Sequence, residues 1–206
     1  MVKYYIKRAG LPFLYLLFMI MPALGILAMG DSLLWLKIVL GVLAVALYCV
    51  VVAMACYKEG QDAVKVRAAN DLERMVIVRT GENRPLKIHE EYKPHKGFIM
   101  GIFTVIPLLF LAALHTLLYL TAGVRWAGAA MVLLYLVFFE FFMMDAVVGD
   151  GATESVSEMP WYEMYGALIA VPIIILVSGI SYILGARKIL RQQEMIKAKQ
   201  REIYGE

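Results

Sequence analysis

The segment 127–148 constrains the topology of this chain more than any other stretch. It has 22 residues, AGAAMVLLYLVFFEFFMMDAVV, and about 20 apolar residues are enough to cross a bilayer as a helix. It nevertheless carries Glu140 near its middle and Asp145 near its end. A central Asp costs about 2.5–3.5 kcal/mol on the insertion scale. The behaviour of this segment therefore decides how many times the chain crosses a membrane.

The composition indicates a membrane protein. Hydrophobic residues make up 62% of the 206 residues, whereas soluble domains have about 45–50%. They are concentrated in long uninterrupted runs, which are typical of membrane-spanning helices. We therefore predict a single membrane domain, an all-α integral membrane protein embedded in a lipid bilayer. The predicted transmembrane helices cover about residues 11–29, 33–57, 97–121 and 164–186.

The positive charges predict the orientation. Eighteen of the 20 Lys and Arg lie within residues 3–8, 58–96 and 187–201. Segments rich in Lys and Arg that flank membrane helices stay on the cytoplasmic side. We expect both termini, the connector 58–96 and the basic C-terminal helix in the tail 187–206 to be cytoplasmic. No folded basic domain remains beside the spans, so no nucleic-acid partner is expected.

This orientation conflicts with the number of hydrophobic segments. An even number of crossings must separate a cytoplasmic connector from a cytoplasmic tail, yet three hydrophobic segments lie between them. The segment 127–148 is the least suited to cross because of its two carboxylates. We expect four transmembrane helices plus one re-entrant or interfacial hydrophobic helix at 127–148. Five transmembrane helices are the alternative.

The connector divides into two halves. Its first half has apolar residues near helical spacing, and it predicts an amphipathic helix that continues the second span and ends at Thr80 and Gly81. Val66, Leu72 and Met75 are its candidate contact face, either for the protein's own cytoplasmic surface or for a partner. The second half contains two prolines and is expected to be extended.

Two further features concern helix geometry. Pro12 is expected in the first turn of the first span, where a missing N–H has no cost. Gly97 and Gly101, spaced by four residues, predict a small-residue face suited to close helix contact.

Ionisable groups inside the spans are the candidate polar site. The set is His115, Glu140 and Asp145. Such residues are functional hypotheses by default and usually have partners, although an interfacial carboxylate or a packing hydrogen bond explains each of them equally simply. If 127–148 dips into the membrane from the outside, Glu140 and His115 reach similar depth, and we expect them to contact each other.

Several kinds of chemistry have no signature in the sequence. Phosphate-binding loops, zinc-protease helices, Cys-x-x-Cys pairs and nucleophile elbows are missing. His89, Glu90, Glu91 and His95 are the nearest approach to a metal cluster, but their spacing fits no standard zinc pattern. We expect no catalytic, cofactor-binding or metal-binding residues and no cofactor.

Three stretches resemble a group of small multi-pass membrane proteins of Gram-positive bacteria. They are CYKEGQD after the second span, EYKPHKGFIMGIFTVIPLL at the third span, and SYILGARK before the basic tail. The group has no established activity. The resemblance therefore implies a location in the plasma membrane and carries over no functional residues.

Three classes of function fit these features. The first is a non-enzymatic accessory or assembly subunit that contacts a larger membrane partner. The alternative is a small transporter or channel subunit that acts as a homo-oligomer, with Glu140 in an ion or proton role. A membrane enzyme is the third class, and only the acidic segment 149–163 supports it.

The first prediction concerns topology. In a background without the native cysteines Cys49 and Cys56, a membrane-impermeant thiol reagent should label Ser155→Cys and not Ala198→Cys in intact cells. The reason is that residue 155 follows a segment that dips in from the outside, whereas residue 198 lies in the basic tail. External labelling at residue 198 would exclude the four-crossing topology.

Overall fold

A computed structural model describes residues 2–18, 34–82, 85–122, 168 and 170–204, and this part of the chain is helical with no strand. The four α-helices are α1 (Val2–Phe18), α2 (Leu34–Thr80), α3 (Lys96–Ala122) and α4 (Ala170–Tyr204). A single 3₁₀ turn, Ile88–Glu90, lies in the connector. The predicted all-α fold class is confirmed for the described residues.

Helices α2, α3 and α4 are long and apolar enough to cross a membrane. Helix α1 contributes 17 described residues, which include the beginning of the predicted first span. Most of residues 123–169 lie outside the described residues, and with them the whole segment 127–148.

Helix α2 confirms the predicted continuation of the second span. It has 47 residues, or about 70 Å at 1.5 Å per residue, more than twice the roughly 30 Å of bilayer hydrocarbon. It ends where the sequence predicts. Gly81 has a φ of 70°, and its N–H donates to the carbonyl of Ile77 at 2.8 Å. After Gly81 the described connector is irregular, apart from the 3₁₀ turn, and so is only partly the extended segment expected.

Helix α1 begins earlier than expected, at Val2. Pro12 therefore lies inside the helix, and its predicted place in the first turn is wrong. The cause is tertiary packing: Tyr5 and Ala9 are buried, and the Tyr5 ring stacks on Phe103 of α3 at 5.6 Å. These contacts hold the N-terminal lead in the helix, although the sequence there is polar and basic.

Contacts along α1 fix its direction relative to its neighbours. Arg8 pairs with Glu59 of α2, and further along α1 the Tyr48 hydroxyl donates to the carbonyl of Pro12 at 3.5 Å. Later residues of α1 thus contact earlier residues of α2, so these two helices form an antiparallel hairpin.

Helices α3 and α4 are also antiparallel. Gly97 lies against Tyr182, whereas Gly101, one turn later in α3, lies against Ile175, earlier in α4. Tyr4 lies beside Lys96, and both Gly97 and Gly60 lie against Tyr182, so the starts of α1 and α3 lie level with residues 57–60 of α2 and 182–186 of α4. The starts of α1 and α3 and the extensions of α2 and α4 therefore lie at one end of the bundle. We call it the basic end, because it carries the three basic segments.

Glycines bring α4 into direct backbone contact with α2. A Cβ atom on Gly60 would lie 2.0 Å from the carbonyl oxygen of Tyr182, and one on Gly185 would lie 2.0 Å from the carbonyl oxygen of Tyr57. The predicted small-residue face of α3 is confirmed as well, since Cβ atoms on Gly97 and Gly101 would lie 2.5 and 2.8 Å from atoms of α4. Only glycine permits these approaches.

The second prediction tests this contact. Gly60→Ala should lower the thermal unfolding midpoint of the detergent-solubilised protein, with a loss of about 1–3 kcal/mol typical of overpacking. Gly10→Ala is the matched control, because nothing lies within 4 Å of its added Cβ and alanine favours a helix more than glycine does. Equal midpoints for the two variants would contradict the close crossing of α2 and α4.

Candidate functional site

The structure places one of the three predicted intramembrane polar residues. His115 belongs to α3, although its side chain is not described, and Glu140 and Asp145 lie outside the described residues. The proposed contact between His115 and Glu140 therefore stays a prediction. The described polar groups that do converge lie at the basic end of the bundle.

A charged cluster joins three helices at this end. Arg8 of α1 makes an ion pair with Glu59 of α2, whose side chain is 15% exposed. Two cations lie near the Tyr4 ring, with the Arg8 guanidinium 5.8 Å and the Lys96 ammonium 5.4 Å from its centroid. Each cation is thus held near an aromatic face, an arrangement worth about 0.5–2 kcal/mol per contact.

Burial shifts the pKa of Tyr4, Glu59 and Lys96 in this cluster. It raises the pKa of Tyr4 to about 12, with the nearby Glu59 carboxylate adding to the effect. Burial also raises the pKa of Glu59, while the Arg8 guanidinium opposes that shift. The pKa of Lys96 is lowered, again by burial. At neutral pH the phenol stays protonated, and its ring acts here as an aromatic surface for the two cations.

Lys96 fastens the connector to the start of α3. The residue is 4% exposed, and its ammonium donates to the carbonyls of His89 at 2.6 Å and Glu91 at 2.5 Å. A cation in the first turn of a helix is unfavourable toward the helix dipole. The two carbonyl acceptors offset that cost, because they satisfy most of the buried ammonium.

The connector also folds back onto the extension of α2. The Asn70 amide donates to the Glu91 carboxylate at 2.8 Å, and its carbonyl oxygen accepts from the backbone N–H of Lys87 at 3.2 Å. Arg74 donates to the same Glu91 carboxylate at 2.6 Å. Asn70 is buried at 5% exposure, so both functional ends of its amide are used.

Tyr92 adds two more contacts between the connector and the helices. We call the contacts of Asn70, Arg74, Glu91 and Tyr92 the brace. The backbone N–H of Tyr92 donates to the carbonyl of Ala63 at 3.1 Å, and its ring stacks on Tyr182 of α4 at 5.6 Å. Tyr182 is fully buried, with its hydroxyl beside the Lys93 backbone but outside hydrogen-bonding geometry to the described atoms. The connector therefore contacts α2, α3 and α4 together.

The sequence did not identify Glu59, Asn70 and Arg74 as contact residues, because they lie in a segment dense in charges of both signs and charged side chains are mostly exposed to solvent. A signal was present. These residues share one face of α2 with Gly60 and Ala63, at helical spacings of three, four and seven. Polar groups in line with small, packable residues mark a buried polar contact, not a solvated surface.

Apolar side chains farther along the same helix are exposed. Leu72 is 64%, Met75 60% and Val78 86% exposed. Each step of three residues turns the helix back by about 60°, so Leu72, Met75 and Val78 form an exposed strip that turns through about 120°. Val66 lies about 120° to the other side of Leu72 and is half-buried on the side nearer the connector. We call Leu72, Met75 and Val78 the arm face, and the α2 residues 58–80 the arm.

The described part of the chain contains no ready metal-binding site. No group of three or more His, Cys, Asp and Glu side chains is placed there to hold an ion. His89 and His95 are both exposed, and the Glu91 carboxylate between them is engaged by Asn70 and Arg74.

Comparison of the chain with protein-family profiles, with curated proteins and with solved structures gives no match.

The third prediction uses the partly buried ion pair of Arg8 and Glu59. Arg8→Gln should raise the pKa of Glu59 further, because burial remains and the opposing guanidinium is lost. A carboxyl whose pKa is raised in the folded state contributes stability below its ordinary value of 4.5 and loses it as pH rises through the raised pKa. The unfolding midpoint of Arg8→Gln should thus fall as pH increases above 4.5.

The double variant Arg8→Gln with Glu59→Gln is the control, because it has no carboxyl to titrate at this position. The midpoints of the single and double variants should diverge as pH rises. Parallel pH profiles would show that the Glu59 carboxyl is solvated and not coupled to Arg8.

Proposed function

We propose that this protein is a non-enzymatic integral membrane protein that acts as an accessory or assembly subunit of a larger membrane partner. The observation that carries the proposal is the arm. It extends about 34 Å past the last membrane residues of α2, is fixed on one side by the connector, and carries a bare apolar surface on the other.

Exposure of the apolar arm face to water is unfavourable, and its burial against a partner would be favourable. Full burial of a Leu, Met or Val side chain is worth about 1.5–3 kcal/mol. Because the arm is already held by Asn70, Arg74 and the connector, little ordering entropy would be lost on docking. Preorganisation of this kind favours binding.

Charge on the arm suggests the chemistry of the partner. Lys65 and Arg79 lie seven residues before and after Leu72, and so almost in line with it along the helix. Lys65 reaches Asp62 at 3.3 Å, whereas Arg79 makes no ion pair with a described residue. A partner helix that has an apolar stripe flanked by carboxylates would match this pattern.

We also propose four membrane crossings, with 127–148 as a re-entrant or interfacial segment and both termini in the cytoplasm. The antiparallel packing of α3 and α4 supports this topology. The chain leaves α3 and enters α4 at the same end of the bundle, which is simplest if the intervening segment does not cross alone. The distribution of Lys and Arg supports a cytoplasmic position for the basic end, and the resemblance to multi-pass proteins of Gram-positive bacteria supports a location in the plasma membrane.

The fourth prediction tests the arm face in native membranes. A photo-reactive phenylalanine analogue at position 72 should cross-link to a different integral membrane protein, since Leu72 lies at the centre of the arm face. The added substitution Met75→Glu should abolish the adduct, because it places a carboxylate in the apolar contact. The same analogue at Ile203, which is 75% exposed on α4, is the matched control and should give no such adduct.

An adduct of twice the mass of the chain, from position 72, would mean that the arm binds a second copy. That outcome would contradict the accessory-subunit proposal and favour the homo-oligomeric transporter.

A further inference from the structure

An outward-facing row of side chains on α4 changes from apolar to basic where the helix leaves the bundle. Leu176, Ile180 and Leu184 are 52%, 52% and 50% exposed. They are spaced by four residues, so they form one continuous line over about 12 Å of helix. In a bilayer this line faces the hydrocarbon of the leaflet nearer the basic end.

Three cations follow on the same side of α4. Arg187, Lys188 and Arg191 line a shallow depression of about 350 Å³ together with Leu184, Gln192 and Met195. All three cations are exposed, and none of them makes an ion pair with a described residue. Lys188 lies 6.0 Å from the centroid of the Tyr57 ring, which holds its stem against α2.

The level of these cations matches that of lipid phosphates. The predicted span ends near residue 186, one residue before Arg187. Basic groups at this level on the cytoplasmic side attract anionic headgroups. A zwitterionic lipid carries its own cation, so it would gain much less from the same three groups.

We propose that this side of α4 binds one anionic phospholipid, with an acyl chain along Leu176, Ile180 and Leu184. Its phosphate lies among Arg187, Lys188 and Arg191. Gln192 adds an amide donor, and Met195 closes the depression on its cytoplasmic side. The site is separate from the arm face, so it does not depend on the protein partner proposed above.

The test is native mass spectrometry of the full chain in detergent during titration with dioleoyl phosphatidylglycerol or dioleoyl phosphatidylcholine. The wild-type protein should retain the first phosphatidylglycerol at about 10- to 100-fold lower lipid concentration, as three cations predict. The variant Arg187→Gln, Lys188→Gln, Arg191→Gln should lose this preference. The single variant Arg191→Gln should lose part of it.

The matched control removes the same charge from the far end of α4 through Lys197→Gln, Lys199→Gln and Arg201→Gln. It should retain the wild-type preference. An equal loss in the control would overturn the proposal, because it would reduce the effect to the net charge of the tail. Equal retention of both lipids by the wild-type protein would overturn it too.

Two soluble probes separate a lipid site from a site for a free anion. Millimolar inorganic phosphate should leave the dioleoyl phosphatidylglycerol adduct in place, and dihexanoyl phosphatidylglycerol should bind more weakly because its short chains cover less of the apolar row. Complete displacement by inorganic phosphate would show a site for a soluble anion and contradict the lipid proposal.

Discussion

The contact between the backbones of α2 and α4 at Gly60 and Gly185 sets the geometry of the basic end. Without Cβ atoms at these positions the helices approach until each glycine touches a carbonyl of the other helix. Close approach of this kind maximises dispersion contacts between the two helices. Gly97 and Gly101 allow α3 to approach α4 closely as well. Both α2 and α3 therefore pack against α4 at the same level.

The positions of the polar groups at the basic end follow from this packing. Because α2 and α4 meet at residues 57–60 and 182–186, Glu59 is brought under α1, where Arg8 pairs with it. The start of α3 is drawn to the same level, and Lys96 can reach both the Tyr4 ring and the connector. The brace on the arm is thus built on the glycine contact, and the arm face remains exposed beside it.

The sequence predicted the parts of this fold that depend on local pattern. Long apolar runs identified the helices, Gly81 marked the end of α2, and the spacing of Gly97 and Gly101 identified a packing face. It did not predict that Pro12 lies inside α1, since only contact with α3 holds the polar lead in the helix. Nor did it predict the brace, because Asn70 and Glu91 are distant in sequence and neither belongs to a motif.

The antiparallel arrangement of α3 and α4 is the central claim, because both the topology and the position of the arm depend on it. Electron spin resonance distances in lipid nanodiscs test it directly, with one label at Arg191 and the second at Lys93 or at Leu120. Gly97 and Tyr182 lie at one level, so Lys93 should be within roughly 20 Å of Arg191, and Leu120 about 50 Å away. A short distance from Arg191 to Leu120 and a long one to Lys93 would contradict the account.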